Sequence, residues 1–404
     1  MISLTDIIAS KPFQRLKGKT QLFSPTSNDH YRNRLTHSLE VYAISNSIVS
    51  RLNLNIDLNL LGIIALAHDL GHTPFGHEGE RTLNVILSGE DDLGGLLPHN
   101  CCKKEIIQGF KHNIYSAKLF LRTFHSNTED DEKLDLIVDG IIKHTKPYYK
   151  DKNSLPIVID YGLGRITSSF SQLNSIENYH LKIEPISTEG RIVAVADEIA
   201  QRCSDFSDSM VSKLIMFDEF KELVSQYLDV EGISNYRDLE STIRESLING
   251  LFYDEKDNYL KFGKEAQLLN NSIENYIKKR IQGSYLIRTD DSKNCHMIRQ
   301  VFKALYKKPT QLDDASLVNI YSDIYKSHVP QIKTECIDEH GNIDTIKVAY
   351  FVKSACDRLM DNTEQKDDGK IFKNFLANIS FYIANMTDSF LVKKYHKLYN
   401  GGEE

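Results

Sequence analysis

The chain has 404 residues, 41% of them hydrophobic and 26% charged, so it can bury a large core and is neither fibrous nor intrinsically disordered. Its formal net charge of −7 argues against wholesale wrapping by nucleic acid. No stretch resembles the long uncharged apolar run of a membrane span, and the opening MISLTDIIASKPF lacks a signal-peptide pattern, so a cytoplasmic protein with no membrane partner is expected.

In chain order, Lys11, Arg15, Lys17, Lys19, Arg32 and Arg34 form a basic N-terminal stretch, which in an acidic protein is either a solvated face or a local anion site. Apolar residues at helical spacing predict a helix over 36–53. A second helix runs from about 59 through LLGIIALA and ends near Gly71, with His68 and Asp69 on its last turn. Thr73 reads as the cap and Pro74 as the first residue of a further helix carrying His77 and Glu80. The polar GEDDLGGLLPHNCCKK at 89–104 is expected to be a loop. Helical stripes follow over 112–124 and over 131–144, where Leu134, Ile137, Val138, Ile141 and Ile142 share one face. KHTKPYY at 143–149 reads as a helix end broken before Pro147. Further stripes cover 188–205, 264–280, 296–307 and 371–399, and residues 400–404 read as a frayed tail. Two-residue alternation is rare, with LKIEPI and NIDTIKVAYF the best strand candidates. The expected fold class is therefore all-α, with at most a few short strands. Six cysteines without C-x-x-C spacing read as reduced thiols.

Chemistry concentrates at residues 66–80, LAHDLGHTPFGHEGE, where a helix that reads as buried gives way to three histidines, one aspartate and two glutamates. Adjacent side chains diverge by about 100° on a helix, so His68 and Asp69 share a metal only across the helix end, with other segments completing the shell. His37 in RNRLTHSLE and Asp197 in RIVAVADEIAQRCSD are the candidates, since each is a polar group within an otherwise apolar helical pattern. Each alone reads as an ordinary hydrogen-bonded or capping residue; the joint pattern is what points to a metal. Two imidazoles and two carboxylates suit Mn²⁺, Mg²⁺, Co²⁺, Fe²⁺ or Ni²⁺ better than a thiolate-preferring ion. His77 and Glu80, three apart, share a helix face.

The pattern H…HD…D resembles the HD-domain metal-dependent phosphohydrolases, and more narrowly the deoxynucleoside triphosphate triphosphohydrolase (dGTPase-like) family. FQRLKGKTQLF, RNRLTHSLEV, HDLGHTPFGHEGE, GFKHNIYS, RIVAVADEIAQRCSD and FYIANMTDSFLVKKYHKLY are similar to that family's motifs and occur in order from residue 13 to 399. The resemblance implies an HD-type helical catalytic core over 1–210, carrying the metal and triphosphate site, and a helical C-terminal region over 211–404 packed on it. It implies one divalent metal per site, held by His37, His68, Asp69 and Asp197. It makes His77 and Glu80 the catalytic dyad, His72 and Arg34 phosphate contacts, His112 a further active-site histidine and Asp205 a reader of the sugar 3′-hydroxyl. Lys19 and Gln21 become sugar or phosphate neighbours, KHTKPYY a pocket wall near the triphosphate, and Tyr31, Tyr115, Tyr148 and Tyr149 candidates to stack on the base.

The implied reaction is hydrolysis of a dNTP to a deoxynucleoside and inorganic triphosphate, serving pool control or depletion of dNTPs against a phage. The implied partners are a second chain copy, as a tetramer or hexamer, and a nucleotide or single-stranded DNA effector. Gln201 stands where the family usually has a tyrosine beside the sugar, and Asn385 and Ser389 replace a glycine and an arginine of the C-terminal motif. Another HD phosphohydrolase activity and a catalytically silent nucleotide-sensing effector are the alternatives.

Overall fold

Polar caps set where the helices begin. Asn33 accepts a hydrogen bond from the Thr36 backbone N–H and Thr36 Oγ1 accepts one from the Asn33 N–H, opening α3 (Arg34–Leu52). That helix closes at Asn53, which is left-handed at φ 50°. Asp57 accepts from the N–H groups of Asn59 and Leu60 at the head of α4 (Leu58–Ala67), and every residue from Leu60 to Ala67 is buried. The short α1 (Leu4–Ala9) and α2 (Lys11–Arg15) precede them.

The computed structural model describes residues 2–21, 31–98, 109–124, 131–145, 185–254, 259–327, 329–363 and 365–399. The fold is all-α, with seventeen α-helices and one antiparallel strand pair among the described residues. After α4 come α5 (Gly76–Leu87), α6 (His112–Phe124), α7 (Asp131–Lys143), α8 (Thr188–Val211), α9 (Phe217–Val224) and α10 (Tyr236–Asn249). Strands β1 (Leu251–Asp254) and β2 (Tyr259–Phe262) pair from Leu251↔Phe262 to Asp254↔Tyr259. Then follow α11 (Lys264–Gly283), α12 (Tyr285–Lys307), α13 (Asp314–Lys326), α14 (Gln331–Glu335), α15 (Thr345–Met360), α16 (Asp368–Ala384) and α17 (Asp388–Tyr399). No described helix is long and apolar enough to cross a membrane.

The chain folds as two compact units. One comprises Met1–His72, His112–Lys150 and Ser169–Asp291; the other comprises Thr73–Lys111, Asp151–Ser168 and Ser292–Glu404. In the first, α8 is the central helix and packs on α3, α4, α7, α10 and α11. Its apolar face, with Ile192, Val193, Ala196, Ile199 and Phe206, is fully buried. Gly140 lets α7 lie close to α4, because a Cβ there would come 2.8 Å from Ile64 Cδ1. In the second unit α16 packs on α5, α13 and α15 through a face that buries Ile371, Phe375 and Ile379.

Several expectations need correction. NIDTIKVAYF is not a strand: Asp344 accepts a hydrogen bond from the Lys347 N–H and caps α15, so a helix forms from Thr345 despite its β-branched residues. Most of LKIEPI lies outside the described residues, and Ile186 is not in a strand; its N–H donates to Asp139 Oδ2 at 2.7 Å. The strands form instead at LFYD and YLKF. The 371–399 stripe is two helices, α16 and α17, interrupted at residues 385–387, where Thr387 Oγ1 takes up the Phe390 N–H. Thr73 does not cap α5. Phe75 adopts a left-handed conformation at φ 59°, and Thr73 Oγ1 donates to the Gly76 carbonyl, delaying the helix to Gly76. Cys203, Cys295, Cys336 and Cys356 are free thiols.

Candidate metal centre

The apolar α4 ends at Ala67, so His68 is its C-cap and Asp69 lies just past the helix rather than on its last turn. Asp69 and its neighbours are nonetheless buried, because the chain leaving α4 lies directly on α6. A Cβ on Gly71 would sit 2.3 Å from the Ser116 backbone nitrogen, so only glycine permits this approach. The Gly71 N–H donates to Ser116 Oγ at 2.8 Å and fixes the contact. The His72 ring thereby stacks on that of His112, the first residue of α6, with centroids 4.2 Å apart.

Four segments converge around Asp69. From α3 comes His37, whose Nε2 lies 2.8 Å from Asp197 Oδ1 on α8. His68 Nε2 lies 3.7 Å from Asp69 Oδ1 and 3.8 Å from Asp197 Oδ1. Arg34 Nη1 donates to Asp69 Oδ2 at 2.8 Å, and its Nε donates to the Thr20 carbonyl. One carboxylate oxygen is thus committed to Arg34, leaving Oδ1 to the histidines.

Electrostatics polarise the cluster. Burial opposes ionisation of Asp69, yet His68, Arg34, His72 and His112 together hold its carboxyl well below the usual range. Asp197 behaves likewise: burial raises it, but His37 and His68 outweigh that and lower it. Burial also works against a charged His37, but the hydrogen bond and charge of Asp197 together with the charge of Asp69 outweigh this and raise its pKa.

The donor set fits a divalent ion. His68 Nδ1 lies 2.7 Å from the Ala65 carbonyl oxygen, which can only accept, so Nδ1 carries a proton and in the neutral ring Nε2 presents a lone pair. That Nε2 is buried, has no hydrogen-bond partner among the described residues, and faces two carboxylate oxygens. Facing ionised oxygens, that nitrogen is stable only with a positive charge between, a proton in the bare ring or a metal ion in its place. Ligands about 2.0–2.2 Å from an ion are separated by roughly 3.0–4.2 Å, and the 2.8–3.8 Å separations here match that scale. His37, His68 and Asp69 form one group able to hold a metal, and Asp69, His72 and His112 another.

The other candidates fall as follows. The basic stretch is divided: Lys11 and Lys17 are exposed, whereas Lys19 is buried and its ammonium donates to the His72 carbonyl, and Arg34 is buried on Asp69. Gln21 is buried; Gln201 and Asp205 are half-buried on α8, where burial pushes the Asp205 carboxyl up to about 6. His77 is exposed and Glu80 half-buried on α5, with His77 Nδ1 4.0 Å from Glu80 Oε2. Tyr115 is a core residue of α6, while Tyr148 and Tyr149 lie outside the described residues.

Sequence reasoning did not single out His144, the second residue of the KHTKPYY segment. It is buried at the end of α7, its ring 4.8 Å from that of His68, and its Nε2 lies 3.9 Å from Asp69 Oδ1. Burial, then His68, depresses its pKa to about 4.

The HD domain model matches residues 34–201, the span that holds His37, His68, Asp69, His112, His144 and Asp197. The deoxyguanosinetriphosphate triphosphohydrolase-like protein of Rickettsia rickettsii (strain Iowa) is 30% identical over 413 residues, covering 97% of this chain and 89% of the relative. The chain belongs to the HD-domain, dGTPase-like family. Within this dGTPase-like family, the similarly described protein of Rickettsia akari (strain Hartford) is 30% identical across 97% of this chain and 87% of its own length. The dGTPase-like chain is thus an HD phosphohydrolase with a His/Asp cluster that could hold a divalent metal.

Proposed function

We propose that the protein hydrolyses deoxynucleoside triphosphates at the α-phosphorus, releasing a deoxynucleoside and intact inorganic triphosphate. The observation that carries this reading is the convergence of His37, His68, Asp69 and Asp197, with the His68 Nε2 lone pair turned toward the two carboxylates. The names of the relatives, which specify a deoxyguanosine triphosphate, support the substrate class.

These four residues would hold the metal, and the ion when bound acidifies water and offsets negative charge on phosphate oxygens. Around it, the chain's own groups have separate tasks. Arg34 clamps Asp69 Oδ2 and so aims Oδ1. His72, supported by stacking on His112, contacts phosphate oxygens. His77 transfers the proton and Glu80 orients it; their i, i+3 placement on α5 supports the pairing. The nucleoside 5′-oxygen is a poor leaving group, for which a positioned acid is worth about 10²–10⁴-fold. Asp205 and Gln201 read the sugar from α8, with Lys19 and Gln21 near the sugar or phosphates.

The test is incubation of purified protein with each of the four dNTPs and GTP in Mn²⁺, Mg²⁺ or Co²⁺, with products resolved by ion exchange. Triphosphate plus deoxynucleoside supports the proposal, and equal cleavage of GTP would show that Gln201 relaxes sugar selection. Release of orthophosphate or nucleotides would replace it with another HD phosphohydrolase activity. Turnover only with dNTP mixtures or short single-stranded DNA would add an effector requirement, and silence under every condition would favour a nucleotide-sensing protein without turnover.

A further inference from the structure

The C-terminal motif FYIANMTDSF contributes none of the metal-centre side chains, yet its Asp388 is buried in the first turn of α17. That helix does not need Asp388 as its cap, because Thr387 Oγ1 accepts the Phe390 N–H and the Thr387 carbonyl accepts the Leu391 N–H. Asp388 Oδ1 instead accepts the Phe75 backbone N–H at 2.9 Å, a contact between residues 313 apart in sequence that reaches the head of α5.

The head of α5 is strained. The helix starts without a side-chain cap, from two successive left-handed residues, Phe75 at φ 59° and Gly76 at φ 58°. Glycine takes this conformation freely, whereas a bulky aromatic residue does so only where its surroundings hold it. Two hydrogen bonds supply that hold: Thr73 Oγ1 donates to the Gly76 carbonyl, and Asp388 takes the Phe75 N–H. Gly79 lets the turn fold back on the helix, since a Cβ there would come 2.0 Å from the Pro74 carbonyl oxygen. A buried N–H requires a partner. Without Asp388 the readiest relaxation is for Phe75 to leave the left-handed region, which redirects the opening turns of α5, where His77 and Glu80 stand.

We propose that Asp388 is a positioning residue: through the Phe75 N–H it fixes the start of α5 and hence the direction in which His77 and Glu80 point. The roles of those two side chains rest on the proposed function; the anchoring itself does not. The competing account is that Asp388 serves only its own helix, where a carboxylate in the first turn is favourable.

Full-length chains carrying D388A, D388N, H77A, or D388A together with H77A are compared with the unsubstituted protein in two ways, each per folded chain. One is steady-state kinetics on whichever nucleotide the unsubstituted protein cleaves; the other is amide hydrogen exchange without substrate. D388A is expected to lower kcat by about 10²-fold with KM little changed, the scale for misplacing a reacting group by about 1 Å. Exchange over residues 75–80 should quicken in step. D388N keeps an acceptor for the Phe75 N–H and should retain most of kcat and slow exchange. In the H77A background D388A should have little further effect, because a group acting through His77 has nothing left to position. Normal kcat in D388A with faster exchange confined to 388–399 would overturn the proposal, as would an equal further loss in the H77A background. If no nucleotide is cleaved, the proposed function fails while exchange still decides: quickening over 75–80 in D388A supports the anchor, and quickening confined to α17 overturns it. Should D388A not fold, D388S, which keeps a polar helix start but is too short for the Phe75 N–H, is read in the same way.

Discussion

Just before α3, Arg32 is set among Glu40, Asp208 and Glu240, and one turn into the helix His37 joins His68, Asp69 and Asp197. Both clusters draw on α3 and α8. In the first, the chain supplies its own cations: Arg32 Nε is 2.8 Å from Glu40, its Nη2 is 2.9 Å from Glu240, and Arg244 Nη1 is 3.4 Å from Glu240. In the second, the nearby guanidinium of Arg34 is spent on one oxygen of Asp69, and the remaining oxygens face imidazole nitrogens. A buried cluster balanced from within ties helices together, whereas one balanced only when an ion enters is a place where chemistry can be done.

The sharpest way to break this comparison is at Asp69. Asp69→Asn keeps the size and an acceptor for Arg34 but removes the charge facing His68. Phosphohydrolase activity is expected to fall by at least about 10²–10³-fold, the scale for losing one preorganised electrostatic partner. Metal-free protein should also lose stability, by about 3–5 kcal/mol, because Arg34 is left buried without its ionised partner, so turnover is compared per folded chain. A variant that retained turnover would show that the cluster is structural.

Arg32→Met is the converse case. It leaves Glu40, Asp208 and Glu240 with one cation fewer, and the expected loss is about 3–5 kcal/mol, as for breaking a buried ion pair on one side. Urea unfolding measures it. Manganese bound per folded chain should stay the same, and a loss of metal in step with stability would mean that the two clusters act as one.

Removing the ion should have a smaller effect. Since an ion that binds only the folded state stabilises by RT ln(1 + [L]/Kd), Mn²⁺ at a hundredfold excess over its Kd is expected to contribute about 2.7 kcal/mol. Chelation should remove this increment, re-addition should restore it, and Asp197→Asn should not show it. An equal Mn²⁺ response in Asp197→Asn would place the bound ion elsewhere.

How much of this was legible in the sequence follows from what each feature depends on. Helices with long apolar stripes, such as 112–124 and 264–280, were readable because periodicity is local. NIDTIKVAYF misled because one capping aspartate, Asp344, outweighed β-branched composition. The LFYD and YLKF hairpin escaped because four-residue strands carry too little alternation to register. Asp69 and its partners were readable because HD beside an apolar run is a local anomaly. His144 was not, since a histidine ending a helix is ordinary until folding brings it against His68 and His112. Arg32 and Arg34, two apart in one basic stretch, gave no sign that each would be claimed by a different cluster.

The smallest effect tests the charge count within the Arg32 cluster. Three carboxylates face two guanidinium groups, so one negative charge is in surplus, and it falls on the most buried carboxylate: burial pushes Asp208 up to about 7 although Arg32 pulls it down. The folded protein therefore holds a proton on Asp208 that the unfolded chain releases near pH 4. For a group raised in this way, the stabilising contribution is complete below the unfolded pKa and is lost as pH rises through the folded one. Stability should thus decline between about pH 4 and 7 with a slope from this group of no more than about 1.4 kcal/mol per pH unit. Asp205, raised to about 6, adds to the decline over the lower part of that range. Asp208→Asn removes the titrating proton, so its stability relative to the unsubstituted protein should rise steadily from pH 4 to 7 and then level off, as read from urea midpoints across that range. A difference that stays flat with pH would mean that Arg32 holds all three carboxylates ionised, and that the first cluster is less completely balanced by its own chain than its geometry implies.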